Sequence, residues 1–458
     1  MNEPATPARR IKTIPFVVRR LVLAAAVVPA AGAALAAVPD SGPAARPEAW
    51  QALGQVTGVW QRKPPFGAAY DGPNSLRSDR ERSYSYTATL FIGARPWRGG
   101  ELYLNPEVAA GLPLSNLTGF GGFPNGELAR TSGRDPVLYL ARGFWRQTIG
   151  FGGGSEAIES APNQMAGVVD RRRLVVTAGI VSLIDIFDRN AYSHDPRTQF
   201  MNWALITHGS YDFAADARGY TRGVALEWID DGHALRVGRF AMARESNGLT
   251  LNPALGRSHG DQVEAETSTA FGGQPGTWRV LLWRNRAVMG RYDAAIAAAA
   301  ATGGDPAVGD VRRDQSKWGW GLGVEQALGR WGGFFARYGR GPDRAETYSY
   351  TEIGRSASVG VLIDGGLWRR GDDRLGVGVA ENALSAAHRG YLALGGLGFF
   401  LGDGRLDYRP ERLLEVFYSL RARRGLWLSA DFQRIVNPGY NAARGPVSVY
   451  GLRMHAEF

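Results

Sequence analysis

Pro446-Val-Ser-Val-Tyr-Gly-Leu-Arg-Met-His-Ala-Glu-Phe458 ends the chain, and its side chains sort strictly by parity. Tyr450, Leu452, Met454, Ala456 and Phe458 fall on one face, while Gly451, Arg453, His455 and Glu457 fall on the other. Successive strand residues point to opposite faces, so this is a strand with an apolar side and a charged side. The charged side would be ruinous against lipid and the apolar side wasteful against water, so the segment suits a wall between the two. A terminal aromatic fits the strand that closes a barrel.

The same rhythm recurs upstream. Tyr84, Tyr86, Ala88, Leu90 and Ile92 oppose Ser83, Ser85, Thr87 and Thr89, and Trp318, Trp320, Leu322 and Val324 oppose Lys317, Gly319, Gly321 and Glu325. Leu102 and Leu104 oppose Glu101, Tyr103, Asn105 and Glu107. Leu414, Val416, Tyr418 and Leu420 oppose Glu415 and Ser419, and Leu426, Leu428, Ala430 and Phe432 oppose Ser429, Asp431 and Gln433. Further strands are expected over 136–148, 173–181, 223–228, 234–242, 277–283, 332–338, 357–364 and 375–380, with Gly, Asp, Asn and Pro between them. Tyr292 to Ala301, nearly pure Ala and too short to span, is the one clear helix and belongs in a loop.

The beginning of the chain adds an address. Arg9, Arg10, Lys12, Arg19 and Arg20 precede an apolar, Ala-rich run from Leu21 to Val38, the layout of a secretory signal peptide with cleavage expected near Ala36. Pro29 and Gly32 interrupt that run, which disfavours an uncleaved anchor. Beyond it no apolar stretch approaches the roughly 18 residues of a helical span, so entry into a membrane requires a closed barrel. With 0 Cys there is neither a disulfide framework nor a thiolate metal site. The 62 Gly, 13 Trp, 17 Tyr and 19 Phe favour strands and tight turns.

These observations predict an all-β chain, a transmembrane antiparallel β-barrel. Residues 1–36 form the cleaved signal peptide, 37–80 a short N-terminal periplasmic segment, and 81–458 the barrel. At roughly 26 residues per strand and connection, the length accommodates about 16 strands. Tyr and Trp near strand ends, among them Tyr84, Trp97, Trp203, Trp228, Trp278, Trp368, Tyr418 and Tyr450, are candidates for aromatic girdles at the two membrane interfaces.

Charge and motifs exclude several functions. Without the leader's five basic residues and Glu3, the net charge of +10 falls to about +6, spread without a basic block, so no nucleic-acid partner is expected. The six His form no spaced pair with a carboxylate, which leaves no zinc site. Asp185, Asp188, Asn190 and Asp195 lack calcium-loop spacing and read as a hydrogen-bonded loop. Gly395, Gly396, Gly398, Gly402 and Gly404 lack the Lys-Ser/Thr ending of a phosphate loop and read as a strand and turn. No nucleophile elbow is present. Neither an enzyme nor a cofactor is expected.

Several strings, in order, resemble the carbohydrate-selective porin family of the OprB type. They are Gly58-Val-Trp-Gln61, Glu101-Leu-Tyr-Leu-Asn-Pro-Glu107, Gly121-Gly-Phe-Pro-Asn-Gly-Glu127, Asp185-Ile-Phe-Asp188, His194-Asp-Pro-Arg197 and Phe200-Met-Asn-Trp203. Ala214-Ala-Asp-Ala-Arg-Gly-Tyr220, Leu235-Arg-Val-Gly-Arg-Phe240, Thr351-Glu352, Gly402-Asp-Gly404, Asn437-Pro-Gly-Tyr-Asn441 and Arg444-Gly-Pro-Val447 continue the series. The resemblance implies a 16-stranded barrel, a homotrimer, in the outer membrane of a Gram-negative bacterium among lipid and lipopolysaccharide. It implies passive diffusion of small carbohydrates.

Inward parity nominates the lumen lining: Glu101, Tyr103, Glu107, Arg236, Glu325, Glu352, Glu415, Asp431 and Arg453. In that reading Arg grips hydroxyls and the carboxylates balance its charge. Two alternatives remain: a general or anion-preferring porin that conducts ions, and a non-conducting periplasmic or surface sugar-binding all-β protein.

Overall fold

The computed structural model describes residues 47–128 and 133–458. The expected leader, residues 1–36, lies outside the described residues. The strands are β1 (Trp50–Lys63), β2 (Glu81–Trp97), β3 (Gly100–Leu112), β4 (Val137–Gly150), β5 (Ser155–Ile158), β6 (Gly167–Asp170), β7 (Arg173–Val181), β8 (Thr221–Asp230) and β9 (His233–Ala241). They continue as β10 (His259–Phe271), β11 (Gln274–Met289), β12 (Arg313–Ala327), β13 (Gly332–Arg340), β14 (Arg355–Asp364), β15 (Arg374–Ala383), β16 (Glu411–Arg423), β17 (Leu426–Val436) and β18 (Val447–Glu457).

All but β5 and β6 form one closed antiparallel barrel in which each strand pairs with its neighbours in sequence and β18 returns to β1. β5 and β6 form a separate two-stranded hairpin. Closure satisfies every strand edge, which is what a sheet in lipid requires. The expected strand number and the parity of the closing strand are both observed: Tyr450 and Leu452 are exposed, whereas Arg453 and His455 are buried.

The closing seam corrects the expected boundary at residue 80. Residues 50–63 are not part of a segment before the barrel; they are its first strand, in register with β18 from Gln55↔Glu457 to Arg62↔Tyr450. Phe458 completes the seam by exchanging backbone hydrogen bonds with Gly54 at 2.7 and 2.9 Å. Its ring lies over that glycine, where a Cβ would sit 2.3 Å from it. Outward Gly54 and Gly58 deprived this strand of the apolar rhythm that marked the others.

The connections divide by length. Turns such as 98–99, 231–232, 272–273 and 424–425 lie at one end, and long segments including 64–80, 182–220, 341–354 and 384–410 lie at the other. Bacterial barrels place short turns in the periplasm and long loops outside. Among the described residues three α-helices occupy the long segments: α1 (Trp203–Ile206), α2 (Tyr292–Thr302) and α3 (Ala386–Ala393). α2 is the helix expected from sequence. Residues 394–410 contain no strand, contrary to the reading of the glycine cluster; the glycines serve a loop that crosses other loops, with Gly402 at φ 105°.

Segment 182–220 is folded into the lumen. Phe187, Phe200, Trp203, Leu205 and Phe213 are buried there and share one core with Phe120 and Phe123 of segment 113–128 and with Phe240, Phe335 and Phe417 of the wall. The core of this barrel is therefore an internal one, built between loop and wall.

Candidate functional site: the lumen and its neck

A loop inside a barrel cannot use the strand ladder for its own amides, and each unpaired buried backbone group is costly. The inward faces of the strands supply the missing partners. Glu415 accepts the amides of Met201 and Asn202 at 2.5 and 2.9 Å, Glu264 that of Asp188 at 2.7 Å, and Glu325 that of Ala191 at 2.7 Å. Glu411 receives Gly121, Gly122 and Gly439. The loop carbonyls are served by arginine: Arg453 donates to those of Pro196 and Gln199, both at 2.7 Å, and Arg337 to those of Leu205 and Ser193.

This accounts for most of the residues nominated by parity. Glu415 and Arg453 are anchors of segment 182–220, and Asp431 stands beside them, accepting from Gln433 at 3.0 Å. Arg236 is buried within a ladder that crosses five strands: it meets Glu227, Glu264 and Glu266 at 2.9–3.0 Å, and Arg279 links Glu266 to Glu325. Glu352 lies in segment 341–354 and holds the amides of Phe400 and Leu401 at 2.7 and 2.9 Å. Tyr103 donates to Glu101 and receives the amide of Met165, fastening the β5–β6 hairpin across the short-turn end. Glu101 pairs with Arg95 and lines the cavity at that end; Glu107 lines a separate cavity deeper in the lumen.

The lumen holds one cavity of about 470 Å³ and a second of about 680 Å³ that lies toward the short turns. Pro162, Asn163, Asp185 and His194 line both, so the two meet at these residues. Asp185 is held there by Arg142 of β4 through a bidentate contact at 2.5 and 2.7 Å. Burial alone would raise the Asp185 carboxyl, but the guanidinium overrides it and holds it below its ordinary value.

Above the neck, Arg197 joins two carboxylates, Glu127 at 2.6 Å and Glu107 at 3.2 Å. Burial and the Glu107 charge outweigh Arg197 at Glu127 and raise its carboxyl. Glu107 also accepts the hydroxyls of Thr89, Tyr139 and Tyr220. Arg218 lies over the Tyr139 ring at 4.4 Å and forms no ion pair among the described residues. Trp203 and Tyr350 stack at 4.6 Å along the first cavity. Guanidinium forks, carboxylates and aromatic faces thus meet in a space of the size that takes a small molecule.

Parity missed Arg142, Arg197, Arg218, Glu127, Asp185, Tyr139 and Tyr220. Glu127, Asp185, Arg197, Arg218 and Tyr220 lie within strings that carried the family resemblance, so the motif, not the alternation, was their signal. Asp185, Asp188, Asn190 and Asp195 form the hydrogen-bonded loop expected of them. Asn190 receives the amides of Tyr192 and Ser193, and Asp195 that of Arg197.

The profile of the carbohydrate-selective porins, OprB family, matches residues 75–458. The chain belongs to that family. It is accordingly a porin of the bacterial outer membrane with a carbohydrate-selective channel. Among solved structures it is similar to Pseudomonas putida OprB at high pH, with 18% identity, 90% of this chain and 94% of that one covered, and a TM-score of 0.69. The low-pH structure of the same protein matches at 14% identity, covering 90% and 93%, with a TM-score of 0.48. The outer membrane channel DcaP of Acinetobacter baumannii matches at 10% identity, covering 89% and 97%, also at 0.48. No functionally curated protein matches the sequence. These likenesses describe the fold; the family supplies the function.

Proposed function

We propose that this porin passes monosaccharides and similar small polar solutes by passive diffusion across the outer membrane of a Gram-negative bacterium, as a homotrimer. The observation that carries the reading is the cavity at and above the neck, where Arg142–Asp185 and Arg197–Glu107–Glu127 present paired charges of both signs beside the Trp203–Tyr350 stack. A sugar offers hydroxyls to the charged groups and C–H faces to the rings. Because Arg142 and Arg197 already have carboxylate partners, neither guanidinium holds the solute strongly enough to trap it, which conduction requires.

Single-channel recording tests this. Glucose added to one side of a planar bilayer should interrupt the current in a saturable way, and reversal potentials in a salt gradient should show little ion preference. Current indifferent to glucose, with strong anion preference, would favour the general or anion-preferring pore. Light scattering of the detergent-solubilised protein tests the trimer separately, and a monomeric mass would refute it.

A further inference from the structure

The outward strand faces hold charge in an uneven pattern. Arginines gather at the long-loop end, and the outward carboxylates at that level are already engaged: Asp261 with Arg239 at 2.7 Å, Asp314 with Arg286 at 2.8 Å and Glu381 with Arg412 at 2.9 Å. Two places depart from this balance. Arg62 of β1 stands directly across from Arg82 of β2, and Arg340 of β13 directly across from Arg355 of β14. All four are exposed. Among the described residues Arg62, Arg82 and Arg340 form no ion pair, and Arg355 reaches Glu381 only at 3.9 Å. Like charges directly opposite on one face are destabilising unless an anion lies between them.

Depth places both pairs at the headgroups. On β1 the exposed rings of Trp50 and Trp60 mark the edges of the outward apolar band. Ten strand residues span about 34 Å, or about 24 Å along the membrane normal at a tilt of ~45°, close to the ~25 Å apolar band of outer-membrane barrels. Arg62 is the next outward residue beyond Trp60. Its neighbour on β18 is Tyr450, and the neighbour of Arg340 on β12 is Trp320, so each pair has an aromatic flank at the interface.

We propose that Arg62–Arg82 and Arg340–Arg355 are two phosphate clamps for the phosphorylated glucosamine headgroup of lipid A in the outer leaflet. The inference rests on the outer-membrane reading above and extends it from the lumen to the lipid face. Paired guanidinium forks suit a phosphate monoester, which carries more charge and more acceptor oxygens than the diester of a glycerophospholipid.

The test titrates the purified full-length protein in detergent with bisphosphorylated lipid A, dephosphorylated lipid A and phosphatidylglycerol, and reads bound lipid by native mass spectrometry. Wild type should prefer the bisphosphorylated form by about tenfold or more. Arg62→Gln/Arg82→Gln and Arg340→Gln/Arg355→Gln should each remove part of that preference and together abolish it, while Arg222→Gln, at the same level without an opposed arginine, should keep it. Undiminished preference in the combined variant, or equal binding of phosphatidylglycerol, would overturn the proposal. If the combined variant does not fold, the two double variants decide each clamp. Glucose flux measured on the same samples keeps the two readings apart: its loss in wild type would strike the channel, whereas a lost lipid preference with intact flux concerns only the clamps.

Discussion

Asp188 is the point at which the inward segment is most heavily pinned, and Asp188→Asn tests whether that segment shapes the pore. Its carboxylate accepts the Thr207 hydroxyl at 2.6 Å and the His208 amide at 2.7 Å, and it pairs with Arg337 of β13 at 2.9 Å. Burial works against the charged form, yet Arg337, His208 and the hydrogen bonds together hold the carboxyl at about 2. The folded value lies below the ordinary one of 3.8, so the carboxylate contributes stability in full above about pH 4 and loses it as pH falls toward 2. That difference is worth about 2 kcal/mol at neutral pH. The substitution does more, because Arg337 is almost wholly buried and would be left without a counter-charge, at a cost of about 3–5 kcal/mol. The stranded guanidinium therefore dominates the outcome. Opening of segment 182–220 should become about two to four orders of magnitude more frequent, while the ladder of the barrel stays intact. Hydrogen exchange should show lost protection confined to that segment, and single-channel traces should become noisy and less selective. Asp188→Leu with Arg337→Met, which removes both charges, should recover part of the protection. Unchanged exchange and quiet channels in Asp188→Asn would refute the pinning argument.

Other outcomes follow from the same geometry. Arg142→Gln leaves Asp185 unpaired at the neck; about 1 kcal/mol of exposed Coulomb energy implies roughly a fivefold shift in reversal-potential selectivity toward cations. No shift would mean that the pair does not face the permeation path. In the loops, His388 of α3 touches Asp343 at 2.9 Å and faces Glu352 at 3.6 Å, beneath the Tyr292 ring. Burial lowers its pKa, but the two carboxylates prevail and raise it. Its stabilisation of the contact between segments 341–354 and 384–410 is therefore complete below about pH 6.5 and lost as pH rises through the raised value. Amide exchange in α3 should accelerate over that window, and His388→Gln should remove the pH dependence. Gly54→Val drives a side chain into the Phe458 ring and should lower the temperature of barrel unfolding on semi-native gels by an overpacking cost of about 1–3 kcal/mol; an unchanged temperature would place the seam's stability elsewhere.

The wall of the barrel was legible in the sequence because lipid on one side and polar interior on the other impose a two-residue period. It failed to reveal strands where that contrast is weak. In β1 the outward positions include Gly54 and Gly58, and in β10 outward Asp261 and Thr267 alternate with inward Gln262, Glu264 and Glu266, so both faces are polar. The site was harder to read for a different reason. Parity identifies a side chain that points inward, but it does not distinguish one that faces solute from one that faces an internal loop. Glu415, Glu325 and Arg453 point inward and are taken up by backbone groups of residues 188–202. The cavity draws Asp185, Arg197 and Tyr220 from an irregular segment that has no period, and joins them to Glu107 and Arg142 of strands β3 and β4. Only the fold brings these residues together.

The central claim is that this lumen admits a single sugar ring and discriminates by size and hydroxyl contact. Osmotic swelling of liposomes containing the purified protein tests it most directly. Glucose should enter several-fold faster than a disaccharide of similar polarity, a preference weakened when Arg197 or Trp203 is replaced; equal rates for both sugars, or no entry of either, would contradict the account.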